Sequence, residues 1–338
     1  MEKRISLKDI ASKAGVSIAT VSYVLNEKEK EKHIRKEVVE KINKAAKELN
    51  YQPNQIARSL RKKTTKTIGM IVADIANPFF SQMARIVENT ATAHGYTLIF
   101  GSSDEDPHKS EALINSLSNR QVDGFIIVPT EGADEQIKAL LRRKMPLVLV
   151  DRYFPKISTN RVVLDNYQAT YDATMHLIQQ NVKNITFVAY TSKLIHMRER
   201  IRGYQEAMTV SGLAENVSVE EINYGPDHEA EMEKCLNKIL SKRIIPQGLI
   251  FATNALSVSG LFYIRKNCLK IPEDIAFIGF DGGDSFDLFQ PPLSYVQQPL
   301  EGIGKETFNL LMELLNGSKK TAQIMLNPSL IIRDNKKC

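Results

Sequence analysis

From Thr67 onward, short apolar runs alternate with longer helical patterns, and this alternation limits the fold more than any other feature of the 338-residue chain. The runs TIGMIVAD, TLIFGSS, GFIIVP and LVLVD are separated by helix-like segments near 79–95, 107–120 and 132–144, and ITFVAY, GLIFAT and IAFIGFD repeat the rhythm later. A strand that is apolar along its whole length is buried on both faces, which means a parallel sheet covered by helices. The two sets of runs fall on either side of about Asp165, so the pattern predicts an α/β body of two similar doubly wound halves. Ligands of open parallel sheets sit beyond the carboxyl ends of the strands. Two facing halves would therefore line a cleft with the residues that follow each strand: Asp74 to Phe80, Ser102 to Asp104, Asp151 with Arg152, Asn254 and Asp281. Carboxylates and a guanidinium suit a polyhydroxylated ligand, while Phe79 and Phe80 offer apolar faces to a ring. An Asp at a strand end also serves as a turn or helix cap, and that reading stands beside the binding one.

The first 66 residues differ in charge and in rhythm. They carry 17 Lys and Arg against 8 Asp and Glu, a net of +9, so the chain's overall +6 leaves −3 for the rest. A basic module on a mildly acidic body points toward nucleic acid, although a mixed run such as NEKEKEKHIRKE is also what a solvated helix face looks like. The sequence predicts a helix from Leu7 to Ala14 with Ser6 as N-cap and Asp9 completing a capping box. Gly15 suits a left-handed cap, and Ser17 caps a second helix running from Ile18 to about Asn26. Val21, Val24 and Leu25 would be its buried face, leaving Ile18, Ala19, Ser22 and Tyr23 wholly or partly outward. An apolar Ile18 at an exposed helix start fits the edge of a DNA major groove, where apolar groups meet thymine methyls. A third helix, roughly Ile34 to Asn50, packs Val38, Ile42, Ala45 and Leu49 to close an all-α helix-turn-helix head. After Pro53, Asn54 can cap a short helix of Gln55 to Arg61, although a basic linker without fixed structure is the other reading of this stretch.

At SLKDIASKAGVSIATVSYVLN, KELNYQPNQIARSL and TIGMIVADIANPFF the chain resembles the LacI/GalR family of bacterial transcription regulators. The resemblance continues through DGFIIVP, ERIRGYQEAM, IPEDIAFIGFD and PPLSYVQQP, so it covers nearly the whole length. It implies a homodimer, sometimes a tetramer, whose heads bind a near-palindromic DNA operator and whose periplasmic-binding-protein-like body binds a small effector, most often a sugar or sugar phosphate. It also implies DNA contacts from Ser6, Ser17, Ile18, Ala19, Thr20, Ser22, Tyr23, Asn26, Tyr51, Asn54, Ala57, Arg58 and Leu60, with the short helix after Asn54 as a hinge in the minor groove at the operator centre and Leu60 as its wedge. In the third helix the chain departs from the family, with Arg35 and Val38-Val39 where many relatives carry Ser and Thr-Arg, which shifts the expected phosphate contacts to Arg35 and Lys36. For the effector the strand-end reading offers Asn77, Phe79, Phe80, Asp104, Asp151, Arg152, Asn254 and Asp281, His196 is a further candidate for the cleft, and the resemblance puts Asp151, Arg200 and Asp281 foremost. Two further departures from the family pattern bear on specificity. Tyr23 stands where an arginine is frequent, which removes a bidentate guanine contact, and Ala255 follows Asn254 where many relatives have Asp.

The expected domains are a head of 1–52, a hinge of 53–66, an N-terminal effector lobe of 67–165 with 297–323, and a C-terminal lobe of 166–296 with 324–338. An enzyme reading finds no support: GFDGGD lacks the glycine spacing that admits a pyrophosphate, no nucleophile elbow or metal-ligand cluster occurs, and the six histidines are scattered singly. No cofactor is expected. A transport-type sugar receptor would share the two-lobed body, but a basic head and no signal-peptide pattern argue against it. Cys235, Cys268 and Cys338 form no close pair, and no apolar run approaches a membrane span, so the expectation is a cytoplasmic protein with reduced thiols.

Overall fold

Ser6 opens the first helix, α1 (Leu7–Ala14), with its backbone N–H donating to the Asp9 carboxylate at 2.8 Å, the acidic half of a capping box. Gly15 closes the helix at φ 68, a left-handed backbone that a residue without a Cβ adopts freely. The Ser17 hydroxyl then accepts from the Thr20 N–H at 3.1 Å and starts α2 (Ile18–Val24). Helix α2 ends short of the expected Asn26, because that side chain donates back to the Ser22 carbonyl at 2.5 Å and Glu27 turns left-handed at φ 58. Helix α3 (Lys36–Glu48) is likewise shorter than expected, with Arg35 extended at its start and Asn50 at φ 48 beyond its end. Ile10, Val21 and Ile42 are fully buried at the junction of the three helices, with Val24 and Ala45 beside them.

A computed structural model gives this architecture for residues 5–51, 64–225, 227–241 and 245–333. It forms two compact units, Met1–Thr65 and Lys66–Cys338. The expected hinge helix, with Asn54, Ala57, Arg58 and Leu60, lies outside the described residues.

In the second unit the strands are β1 (Thr67–Val72), β2 (Thr97–Ser102), β3 (Gly124–Ile127), β4 (Leu147–Val150), β5 (Asn160–Leu164), β6 (Ile185–Tyr190), β7 (Ser218–Ile222), β8 (Gly248–Phe251), β9 (Ala276–Phe280), β10 (Ser294–Gln297), β11 (Gln323–Leu326) and β12 (Ser329–Ile331). They make two sheets of matching design, β11-β5-β4-β3-β1-β2 and β12-β10-β9-β8-β6-β7, parallel throughout except for the antiparallel β10–β12 pair. Strands β3 and β4 are buried residue by residue, as their uninterrupted apolar character requires. Alternate residues serve opposite faces: Ile126 packs with Phe80, Val87 and Phe308 under helices Pro78–Ala93 and Leu300–Leu315, whereas Phe125 and Ile127 pack with Leu117 and Ile137 under helices Pro107–Asn119 and Asp134–Arg142.

The chain crosses between the sheets three times, after Leu164, after Gln297 and after Leu326. The last crossing corrects the boundary read from the sequence, which gave residues from 324 to the C-terminal lobe. Strand β11 pairs in parallel with β5 from Gln323↔Arg161 to Leu326↔Leu164, so residues 324–326 complete the first sheet. The apolar stretch of this strand is only Ile324 to Leu326, too short to show which sheet it joins. Among the described residues no helix is long and apolar enough to cross a membrane.

Candidate functional site

Two surfaces combine exposure with functional chemistry. On the first unit, α2 presents Ile18, 47% exposed, and Tyr23, 38% exposed, with Ala19 also open to solvent. Two such apolar groups on a helix whose opposite face, Val21 and Val24, is almost fully buried do not serve that core. Lys32 stands over the Tyr23 ring with its ammonium 5.4 Å from the centroid, bringing positive charge to the same face. Arg35 and Lys36 are exposed at the start of α3. Ser17 and Thr20 share a 2.8 Å hydroxyl contact within the α2 cap, Ser6 is engaged with Asp9, and Ser22 offers its carbonyl to Asn26. Tyr51 is half-buried and packs against the three-helix core.

The second surface is a cleft beyond the carboxyl ends of the strands of both sheets. One part, about 570 Å³, is lined by Asp74, Asn77, Phe79, Asn254, Ala255 and Asp281, with His228, Glu229 and Phe262 among its outer residues. The adjoining part, about 160 Å³, is lined by Phe80, Glu105, Glu131, Arg152, Tyr190 and Tyr224, with Ser192 and His196 beside them. Asn77 caps helix Pro78–Ala93, accepting from the Phe79 N–H at 3.0 Å, and so fixes the turn that follows β1. Asn254 donates to the Asp281 carbonyl at 2.6 Å, and Gln298 donates to the Asp281 carboxylate at 2.8 Å. Phe79 and Phe80 are only 5% and 3% exposed and pack edge to face, so they form wall rather than open platform.

Beneath the cleft lies a charged layer. Arg152 donates to both Glu105 oxygens at 2.6 and 2.7 Å and through Nε to Asp151 at 3.2 Å. Burial raises the Asp151 pKa against the opposing pull of Arg152 and Arg200. Burial alone would lower that of Arg152, but Glu105 and Asp151 outweigh it and lock the guanidinium in its charged form. Arg200 lies 3.7 Å from the Phe280 ring centroid, donates through Nε to Asn166 at 2.7 Å, and gives a terminal nitrogen to the Ala252 carbonyl at 2.5 Å. His196 is buried, and burial together with Arg152 and Arg200 holds its pKa well below 6.5, so its ring is neutral. Its Nδ1 has no hydrogen-bond partner among the described residues. Burial likewise raises the Asp281 pKa to about 6, Arg200 and Gln298 pulling the other way.

Of the ten effector residues expected from the sequence, Asn77, Phe79, Phe80, Arg152, His196, Asn254 and Asp281 line the cleft. Asp151 and Arg200 do not, and act as its floor at 5% and 3% exposure. Asp104 is a correction: it is exposed, takes the Ser102 hydroxyl at 2.5 Å and pairs with Lys109 on the surface, while the neighbouring Glu105 enters the cleft. Both residues are left-handed, at φ 50 and φ 57, and this turn exchanges their directions. Tyr190, Tyr224 and Glu131 were not singled out from the sequence. Tyr224 follows β7, whose pattern SVEEI buries only Ile222 and does not read as a core strand. Its position after a strand would be the signal, had that strand been recognised. Among the described residues no group of His, Cys, Asp and Glu could hold a metal ion.

Comparison with known proteins places both units of the chain in one family. Residues 6–54 match the family described as "Bacterial regulatory proteins, lacI family", and residues 65–335 match "Periplasmic binding proteins and sugar binding domain of LacI family". The chain is 30% identical to the HTH-type transcriptional repressor PurR of Haemophilus influenzae, with 98% of each chain covered, and 32% identical to catabolite control protein A of Priestia megaterium, with 96% of each covered. Its fold is similar to that of the Lac repressor dimer bound to operator and the anti-inducer ONPF, with TM-score 0.85, 22% identity and 98% of both chains covered. The chain belongs to the LacI family, DNA-binding transcriptional repressors that carry an effector-binding domain and are not enzymes.

Proposed function

We propose that this chain is a homodimeric repressor of a near-palindromic operator, released or engaged by a small effector that is a sugar or sugar derivative. The reading rests above all on the composition of the cleft. Its polar groups come from the ends of strands on both sheets, and they include Asn77, Asn254, Asp281, Ser192 and the unpartnered nitrogen of His196. Closely spaced donors and acceptors of both kinds match vicinal hydroxyls, which donate and accept from one atom. Phe79, Phe80, Tyr190 and Tyr224 add apolar surface for a ring. The lobes are 67–164 with 298–326 and 165–297 with 327–333, taken over the described residues, and the residues expected to read bases are Ile18, Ala19 and Tyr23.

A thermal-shift screen of the full chain against neutral sugars and their derivatives tests the effector half of the reading. A true effector at a hundred times its Kd raises stability by about 2.7 kcal/mol. The same compound must change operator affinity. The operator half is tested by binding-site selection, in which a symmetric consensus and an affinity that falls steeply with salt are expected from a head of net charge +9. Asymmetric half-site recognition, or binding insensitive to salt, would defeat it.

A further inference from the structure

The strand-end residues carry more negative than positive charge, in a chain that is +6 overall. Asp74, Glu105 and Glu131 line the inner part of the cleft against Arg152 alone, and Asp281 adds a carboxylate in the adjoining part, where His228 stands beside Glu229. Arg152 has its single positive charge met by two carboxylates: Glu105 takes both terminal nitrogens and Asp151 takes Nε. The second arginine, Arg200, is committed to Asn166 and the Ala252 carbonyl and lines neither part. Lys193 reaches the region only from outside, its side chain 92% exposed and paired with Glu131. The buried imidazole of His196 is uncharged. Its Nδ1 awaits a partner, and a hydroxyl satisfies that nitrogen in either tautomer because it both donates and accepts.

We propose that the cleft is an anion-excluding site, which takes an uncharged polyhydroxylated ligand and rejects its phosphorylated or carboxylated counterpart, with Glu105 setting that selectivity by cancelling the charge of Arg152. This rests on the cleft being the effector site, and is independent of whether the effector is a sugar. A phosphate placed there would meet the carboxylates of Asp74, Glu105 and Glu131 and no cation without a carboxylate partner, and like charges facing one another across a binding site work against association. Removing one carboxylate from the Arg152 pair returns a guanidinium able to bind phosphate in bidentate fashion.

The test uses the full chain and matched pairs of probes: neutral hexoses and disaccharides against their phosphate esters, nucleosides against nucleotides, and inorganic phosphate against chloride at equal ionic strength. Melting temperature and calorimetric affinity are the readouts. The expected result is that any ligand found is neutral, that its phosphate ester binds weaker by on the order of a hundredfold, and that inorganic phosphate gives no stabilisation beyond chloride. Glu105→Gln should then gain binding of phosphate or of the ester. A wild-type chain that binds an ester as tightly as its neutral parent, or inorganic phosphate above the chloride control, overturns the proposal, and this comparison decides even if Glu105→Gln does not fold. A folded Glu105→Gln protein with no gain in anion binding removes the role given to Glu105. Binding of a nucleoside but not its nucleotide leaves charge exclusion standing and defeats the sugar reading. Binding of a sugar phosphate does the reverse.

Discussion

At the scale of single residues, the body holds charge at a cost, and Asp281 measures it. Burial raises its pKa from 3.8 to about 6, although Arg200 and Gln298 partly offset the effect. A carboxyl whose folded pKa lies above its unfolded value binds its proton more tightly when folded. The stability this gives is therefore complete below about pH 4 and lost as pH rises through about 6. Asp281→Asn is neutral throughout and lacks this dependence. The free-energy difference between the variant and the parent should thus move in the variant's favour between pH 4 and pH 7, by at most about 3 kcal/mol for a shift of some two units. Partial exposure of the side chain makes that an upper bound. Asp151, raised in the same sense, is common to both proteins and cancels to first order. Urea unfolding at a series of pH values checks the prediction, and a difference that stays constant from pH 4 to pH 7 would show that Asp281 is not the group that titrates.

At the scale of elements, the proposed division is phosphate attachment by Arg35 and Lys36 and base reading by α2. Its exposed face consists of Ile18, Ala19 and Tyr23, none of which supports the buried core, so replacing them should change which operator is preferred while leaving the head folded. Removing Arg35 or Lys36 should instead weaken binding to all sequences alike and flatten the salt dependence by about one phosphate contact each. Selection experiments on the two classes distinguish them; an unchanged consensus in all three α2 variants would place base reading elsewhere. This element was legible in the sequence because each of its signals is local: a capping serine, a glycine free to turn left-handed, and apolar residues at helical spacing. The central strands were legible for a similar reason, since burial on both faces leaves an unbroken apolar run. Edge strands β7 and β11 were not: β7 mixes charge with hydrophobicity along SVEEI, and β11 has only four residues, none of them fully buried. The exchange of Asp104 for Glu105 was hidden for another reason. Side-chain direction in a left-handed turn follows no period, so sequence position locates the turn and not which carboxylate it aims inward.

At the scale of the whole body, three crossings join the lobes and side-chain bonds bridge the cleft. Tyr224, after β7 of one sheet, donates its hydroxyl to Asp74, after β1 of the other, at 2.9 Å. Glu131 accepts from the Lys193 N–H at 3.2 Å across the same divide. Burial, together with the hydrogen bond to Asp74, raises the Tyr224 pKa, so this donor keeps its proton across the range in which proteins are studied. Tyr224→Phe would keep the edge-to-face contact with Tyr190, at 5.6 Å between centroids, and remove only the bridging bond. A hydrogen bond to a charged acceptor contributes about 1.5–3 kcal/mol. If the ligand binds the closed arrangement, loss of this bond lowers the closed population, and apparent affinity falls in proportion to that population. The expected result for Tyr224→Phe is an effector affinity lower by about tenfold, at the low end of that range. Amide exchange should also become faster near the crossings at 164–166, 297–300 and 326–329, where a hinge between the lobes must turn. Tyr224 also lines the cleft, so affinity alone would not separate a lost ligand contact from a lost bridge. The ligand-free protein makes that separation: faster exchange at the crossings without any effector identifies the bridge, whereas exchange unchanged from the parent refutes it.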